Sequence, residues 1–226
     1  MILEIQGVLD AGELARVRAL VTAGPWADGR ATAGYQSALA KDNEQLPEDC
    51  AEAREAGAIV LAALSRNLLF QTAALPGEIF PPLFNRYAGG HSFGVHVDNA
   101  IRPARDGRRI RTDLSATLFL EAPETYGGGE LVIEDGSSAH SVKLGAGDMV
   151  LYPATTLHEV RPVTRGARVA SFFWVQSLVA EQHKRSILFD MDLAIQKLRG
   201  EVGDRHAALV ALTGAYHNLL RLWAAP

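Results

Sequence analysis

The sequence predicts an α+β protein in which a β-rich core lies between helical segments at either end. Apolar residues recur at helical spacing in the first third of the chain and again after Ser177. Between them, short β-branched and aromatic runs alternate with glycine and proline turns, as in a sandwich or barrel and not a βαβ series.

The elements follow in order. Asp10 stands three residues before Glu13, the spacing of a capping box, and Leu14, Val17, Leu20 and Val21 continue a helix that Gly24-Pro25 stops. Gly29 to Pro47 is small, polar and irregular, which suits loop or edge strand. A second helix is expected from Pro47-Glu48 through Ile59, Val60, Leu64 and Leu68. From Ile79 the runs Leu83–Tyr87, Gly94–Asp98, Asp113–Leu120, Glu130–Glu134, Met149–Tyr152 and Arg168–Gln176 read as strands. After Ser177, Ile187, Met191, Ile195, Leu198 and Val202 form one helical stripe. Leu209, Leu212, Tyr216, Leu219 and Trp223 form another beyond a break at Gly203. These stripes suit packing on the core or against a second copy.

With 226 residues, 48% of them apolar, the chain can bury a core without a disulfide. Cys50 is the only cysteine, so neither an intrachain disulfide nor a cysteine-built metal site is available. A formal charge of −4 gives no case for nucleic acid. The N-terminus lacks a basic region followed by a long apolar stretch, and no apolar run is long enough to span a membrane, so a cytoplasmic protein is expected. Arg102, Arg105, Arg108, Arg109 and Arg111 cluster locally. A solvated loop is the favoured reading of them, and a rim attracting an anionic substrate is the other.

The chemistry concentrates in the β core. Residues two apart on a strand share a face, so His96-Val97-Asp98 sets an imidazole beside a carboxylate. His158, just past the strand that Pro153 ends, can supply a second imidazole. Two histidines and one carboxylate leave adjacent positions open on a metal, which suits non-haem Fe(II). His-x-Asp alone is a weak signal, and His158 read singly is a histidine hydrogen-bonded at a strand end. Ten residues on, Arg168 shares a strand face with Ala170, Phe172 and Trp174. A guanidinium facing into a barrel needs an anion, and either a dicarboxylic acid or an internal salt bridge meets that need.

Asn85 through Asn99, with His96 and Asp98 near its end, resembles the first iron motif of prolyl-hydroxylase-type dioxygenases. Gly127-Gly128-Gly129-Glu130-Leu131 resembles the turn and strand between their metal motifs. Gly147-Asp148 through His158, then Arg168, resembles the second motif with its co-substrate anchor. Arg111 through Leu120 and the helical tail look like the bacterial PKHD-type hydroxylases, a group often linked with iron uptake. The resemblance implies a double-stranded β-helix (jelly-roll) core at about 79–177 within a dioxygenase domain, 1–177, and a helical extension, 178–226. It implies an Fe(II)- and 2-oxoglutarate-dependent dioxygenase that hydroxylates a small molecule or peptide using O₂, with ascorbate keeping the iron reduced. Carried over by position, His96, Asp98 and His158 are the catalytic metal ligands, Arg168 grips the distal carboxylate of 2-oxoglutarate, and Tyr87 lines its pocket. The Ser115–Phe119 strand departs from the pattern: it lacks a tyrosine that some relatives use beside the arginine, a place Ser115 or Thr117 can fill.

Two other classes fit parts of this pattern. A cupin-like metalloenzyme without 2-oxoglutarate would explain the Gly-Asp…Pro…His segment but not His-x-Asp with Arg168. A metal- or 2-oxoglutarate-sensing protein would use the same ligands for recognition. Gly127–Gly129 is read as a turn, because a strand and not a helix follows it. Asn99 is read as either a partner orienting Asp98 or a turn cap. His91 is assigned to the rim.

Overall fold

The computed structural model describes residues 1–32, 39–136 and 138–225; part of the irregular Gly29–Pro47 segment, 33–38, lies outside them. Strand β1 (Leu3–Ile5) leads into helix α1 (Ala11–Ala23). Asp10 caps α1 as its spacing predicts: its carboxylate accepts from the Glu13 N–H at 2.8 Å, and Glu13 accepts from the Asp10 N–H at 3.1 Å. Three short strands follow, β2 (Ala27–Asp28), β3 (Lys41–Asp42) and β4 (Glu44–Gln45).

The apolar run after Pro47 is two helices where the periodicity suggests one. α2 (Ala51–Arg66) stops at Asn67, whose side chain accepts from the Phe70 N–H at 2.9 Å and so starts α3 (Leu68–Ala74). The axes turn by 84° there. A local asparagine cap breaks a pattern that hydrophobic spacing alone reads as continuous. No single helix among the described residues is long and apolar enough to cross a membrane.

The remaining strands are β5 (Pro76–Ile79), β6 (Leu83–Ala88), β7 (Ser92–His96), β8 (Ile101–Pro103), β9 (Arg109–Arg111), β10 (Leu114–Phe119), β11 (Gly127–Gly128), β12 (Leu131–Asp135), β13 (Ser138–Val142), β14 (Met149–Pro153), β15 (His158–Val160), β16 (Val163–Arg165) and β17 (Ala167–Ser177). They form an eight-stranded sheet ordered β1-β14-β10-β17-β6-β4-β2, with β5 on β17, and a five-stranded sheet ordered β13-β12-β15-β7-β3. The pairs are antiparallel, and β8–β9 and β11–β16 stand as separate two-stranded ribbons. This is the jelly-roll arrangement within an α+β chain.

The large sheet is buried on both faces, and its alternation shows what covers each. On β10, Leu114, Ala116 and Leu118 join a core with Val17 and Val21 of α1 and Val60, Leu64 and Phe70 of α2 and α3. The intervening Phe119 joins Tyr87, Tyr152 and Val150 against Leu131, Ile133 and Val160 of the small sheet. One face therefore packs on the N-terminal helices, and the other closes over a space between the sheets.

After β17 the chain forms α4 (Gln182–Val202) and α5 (Ala207–Trp223), separated at Gly203, which adopts φ +80°. Leu188, Ile195, Leu209 and Tyr216 bury together with Leu75 and Val179. The stripe on α4 is rotated from the sequence expectation. Ile187 and Val202 are exposed, Leu188 takes the inner place, and Phe189 reaches the main core.

Candidate metal centre and co-substrate pocket

The two halves of the jelly roll meet in one cleft, and strand pairing brings its polar residues together. β7 and β15 are antiparallel neighbours in which His96 and His158 are direct cross-strand partners, so both imidazoles leave the same face. Asp98 sits two residues beyond His96. One ligand atom from each of His96, Asp98 and His158 lies within 4.8 Å of the others, a cluster able to hold a metal ion. The His158 Nε2 to Asp98 Oδ2 distance is 3.8 Å.

Each imidazole is oriented by its own backbone. The Nδ1–H of His96 donates to the Gly94 carbonyl at 2.8 Å, and that of His158 donates to the Thr156 carbonyl at 3.1 Å. A carbonyl can only accept, so both Nε2 atoms carry the lone pair toward the cluster. Phe93 stacks on His96 at 3.6 Å between centroids, and Tyr152 meets His158 edge-on at 5.2 Å. Burial, then the neighbouring His158, holds the His96 pKa well below the usual histidine range, which keeps the ring neutral.

Ser115 on β10 donates to Asp98 Oδ2 at 2.5 Å, fixing the carboxylate from the opposite sheet. Asn99 lines the same cleft, and its backbone carbonyl accepts from Thr112 Oγ1 at 2.7 Å. Of the two residues proposed to stand in for the missing tyrosine, Ser115 is thus engaged with Asp98. Thr117 hydrogen-bonds the hydroxyl of Tyr152, a residue that the sequence motifs gave no reason to single out.

Arg168 is 1% exposed, and its Nε and Nη1 have no hydrogen-bond partner. Its guanidinium lies 5.4 Å from the Tyr87 ring and 5.1 Å from the Phe119 ring, and no carboxylate among the described residues pairs with it. The internal salt bridge left open by the sequence is therefore not what satisfies it. Tyr87 is its cross-strand partner across β6 and β17. Burial pushes the Tyr87 phenol up to about 12, so it remains a donor at neutral pH.

The glycine triplet explains how Arg168 fits. A Cβ on Gly129 would stand 3.1 Å from Arg168 Cδ, and one on Gly128 would meet the Pro162 carbonyl oxygen at 2.0 Å. Both glycines adopt φ +69°, which other residues rarely take. Lys143 ties the turn down, donating to the carbonyls of Tyr126 and Gly128 at 2.9 and 3.0 Å. Gly129 leaves room for the arginine stem, and Gly128 for the Pro162 carbonyl.

Residues given no role in the site by the motifs also line the cleft, among them Lys41 and Tyr152, together with Ser115 and Arg102. His91 is not among the lining residues. Of the five clustered arginines, Arg102 alone turns inward. Arg105 pairs with Asp49 at 3.0 Å, Arg108 with Asp106 at 2.8 Å, and Arg111 with Asp113 at 2.7 Å.

Comparison with known proteins agrees with this geometry. A model of the 2OG-Fe(II) oxygenase superfamily matches residues 82–176, and one of the PKHD-type hydroxylase C-terminal domain matches 183–225. A PKHD-type hydroxylase of Phenylobacterium zucineum is 63% identical, with 99% of each chain covered. The chain belongs to the PKHD-type hydroxylases. It is a 2-oxoglutarate- and Fe(II)-dependent dioxygenase. In fold this PKHD-type hydroxylase resembles a prolyl-4-hydroxylase of Pseudomonas putida (TM-score 0.54, 19% identity, 77% of this chain and 92% of that one). It also resembles HygX from Streptomyces hygroscopicus, solved with nickel and 2-oxoglutarate bound (TM-score 0.53, 15% identity, 80% and 84%). The donor set fits the divalent iron of the family, and the buried unpaired guanidinium fits a dicarboxylate co-substrate.

Proposed function

We propose that His96, Asp98 and His158 hold Fe(II), and that Arg168 and Tyr87 bind 2-oxoglutarate while a C–H bond of a further substrate is hydroxylated. The observation that carries this reading is the guanidinium of Arg168, wholly buried and lacking partners on two nitrogens at the floor of the cleft that holds the donor cluster. An unpaired buried charge is costly, and a planar fork suits a carboxylate. The 2-oxoglutarate bound by HygX supports the same assignment by likeness of fold.

In this scheme, substrate C–H, O₂ and 2-oxoglutarate give substrate C–OH, succinate and CO₂. The bound iron supplies the oxidising chemistry, and the chain supplies orientation and dryness. His96 and His158 present neutral Nε2 atoms because their Nδ1 protons are committed to backbone carbonyls. Ser115 holds the Asp98 carboxylate still. Phe93, Phe172 and Trp174 line the cleft and keep water from it. Family resemblance further supports ascorbate as the reductant that maintains Fe(II), a cytoplasmic location and a link to iron uptake. It also supports a division into a dioxygenase domain, 1–177, and an extension, 178–226. Exposed Val210, Leu212 and Leu222 on α5 support association of copies through these helices.

The test is anaerobic titration with Fe(II) and then 2-oxoglutarate, followed by O₂-dependent succinate release across candidate substrates. Arg168→Ala is expected to retain iron and lose 2-oxoglutarate affinity by about 30-fold to several thousand-fold, from roughly 2–5 kcal/mol of lost charged pairing. Arg168→Lys should recover part of this, since a point charge cannot reproduce the fork. Unchanged co-substrate affinity in folded Arg168→Ala would refute the anchor.

A further inference from the structure

Beyond Arg168, two more cations, Lys41 and Arg102, line the cleft. Lys41 reaches it from β3, where it is the cross-strand partner of Phe93, and only 6% of its surface is exposed. Its Nζ donates to Gln45 Oε1 at 2.9 Å and lies 5.6 Å from the Phe93 ring and 5.9 Å from that of Phe172. Arg102 enters from β8 on the β8–β9 ribbon. Its guanidinium stacks 4.4 Å from the Trp174 ring centroid and 5.3 Å from that of Phe80. Burial, and then Arg102, pulls the Lys41 ammonium down to about 8. Two elements far apart in sequence, β3 and β8, thus bring like charge to one cleft beside aromatic rings.

Charge counting in the cleft narrows what this is for. Its lysine, arginine and carboxylate lining residues are Lys41, Arg102, Arg168 and Asp98. On the reading above, Asp98 and 2-oxoglutarate together carry three negative charges against Fe(II) and Arg168, which carry three positive ones. Lys41 and Arg102 then leave the lining of the loaded cleft net positive. The sequence of residues 33–38, Ala-Gly-Tyr-Gln-Ser-Ala, contributes no carboxylate to alter that sum. Glu48 and Asp28 act on Arg102 and Lys41 respectively, but neither lines the cleft. A cleft lined by two cations beside an apolar wall concentrates anions.

Resting on the proposed dioxygenase site, we infer that the hydroxylated substrate carries an oxyanion head group on an apolar or planar body. Lys41 and Arg102 bind the head group, and Phe172, Trp174 and the half-exposed Val97 receive the body. Carboxylate and phosphate share this recognition chemistry, so the probes must separate them.

The experiment uses the full chain, loaded anaerobically with Fe(II) and 2-oxoglutarate, and follows the visible charge-transfer band of that complex. Phenylacetate, its neutral amide phenylacetamide, and benzyl phosphate are titrated as probes, and binding is read as perturbation of the band. At least one of the two anions is expected to bind about ten-fold or more tighter than the amide, as for a charge-assisted contact. Tighter phenylacetate identifies a carboxylate site, and tighter benzyl phosphate a phosphate site. Arg102→Gln and Lys41→Met, separately and together, should erase the preference for the anion while the band still forms. Arg102 lies on a peripheral ribbon, so its variant guards against a misfolded Lys41 variant. Equal binding of amide and anions, or preference that survives the double substitution, overturns the inference alone. Failure of the wild-type band to form would instead overturn the dioxygenase site on which the inference rests.

Discussion

At the scale of single residues, the cleft is built from side chains whose partners lie on other strands. Ser115 is the clearest case, because its hydroxyl holds Asp98 Oδ2 from across the space between the sheets. Groups that orient a metal ligand typically change affinity by about 10–100-fold when removed. Ser115→Ala should therefore weaken Fe(II) binding by about that factor in anaerobic titration, and Ser115→Thr should restore part of it. A variant with lower melting temperature but unchanged iron affinity would make Ser115 a packing residue only. Lys41 gives a pH-dependent prediction. Its folded pKa, about 8, lies below its ordinary 10.5, chiefly through burial and then Arg102. Between these values the unfolded chain binds more protons than the folded one, so stability rises with pH across that window. Below pH 8 the penalty is fully present. Lys41→Met should thus stabilise the fold at pH 7 by roughly 1–3 kcal/mol, the burial penalty less the lost Gln45 contact, and the advantage should shrink by pH 10. Urea unfolding at both pH values measures it. A lysine kept at such a cost is consistent with a binding role.

At the scale of elements, legibility followed locality. Asp10 and Glu13 are three residues apart, so the start of α1 could be read directly. The six β-rich runs were visible because alternation over five or six residues is a local signal. β2, β3 and β4, of two residues each, carry no period to detect, and they are edge pairings stabilised by β6 and β7. The break at Asn67 was hidden because an asparagine cap leaves the hydrophobic spacing intact. His96, Asp98, His158 and Arg168 were legible from motif spacing, and the structure brings all four to one cleft. Tyr152 and Lys41 were not, and Ser115 was read as a candidate beside Arg168 where it holds Asp98, since these places depend on strand register across tens of residues. The triplet at 127–129 was legible as a turn but not as the space for Arg168. Gly128→Ala would place a methyl 2.0 Å from the Pro162 carbonyl at φ +69°, which should destabilise the protein by about 2–4 kcal/mol. Urea unfolding gives the value, and a loss below 0.5 kcal/mol would mean that the β11–β16 ribbon yields freely.

At the scale of the whole molecule, the question is what the C-terminal helices do for a cleft to which they contribute no lining residue. Their attachment is specific. Ser177 N–H donates to Asp113 Oδ2 at 2.9 Å, and the Leu178 N–H to the Leu75 carbonyl at 2.8 Å. Buried Arg185 donates through Nη1 to the carbonyls of Val179 and Ala180 at 2.7 and 2.6 Å, closing the turn from β17 into α4. Phe189 extends the main core, while Leu188, Ile195, Leu209 and Tyr216 cover Leu75 and Val179. Each large apolar side chain so buried is worth roughly 1.5–3 kcal/mol, so losing several exceeds what a marginally stable domain can spare. Truncation after Ser177 should therefore yield a protein that binds hydrophobic dyes strongly and elutes as aggregate in size-exclusion chromatography. The four side chains His96, Asp98, His158 and Arg168 all precede the cut, so damage to them would follow from lost packing and not from lost ligands. A milder variant separates the two effects. Tyr216→Ala, at the centre of the α4–α5 contact, should lower the melting temperature and raise dye binding while leaving iron and 2-oxoglutarate affinities near wild type at low temperature. Selective loss of co-substrate affinity in a folded Tyr216→Ala protein would contradict this division and tie the helices to the cleft itself.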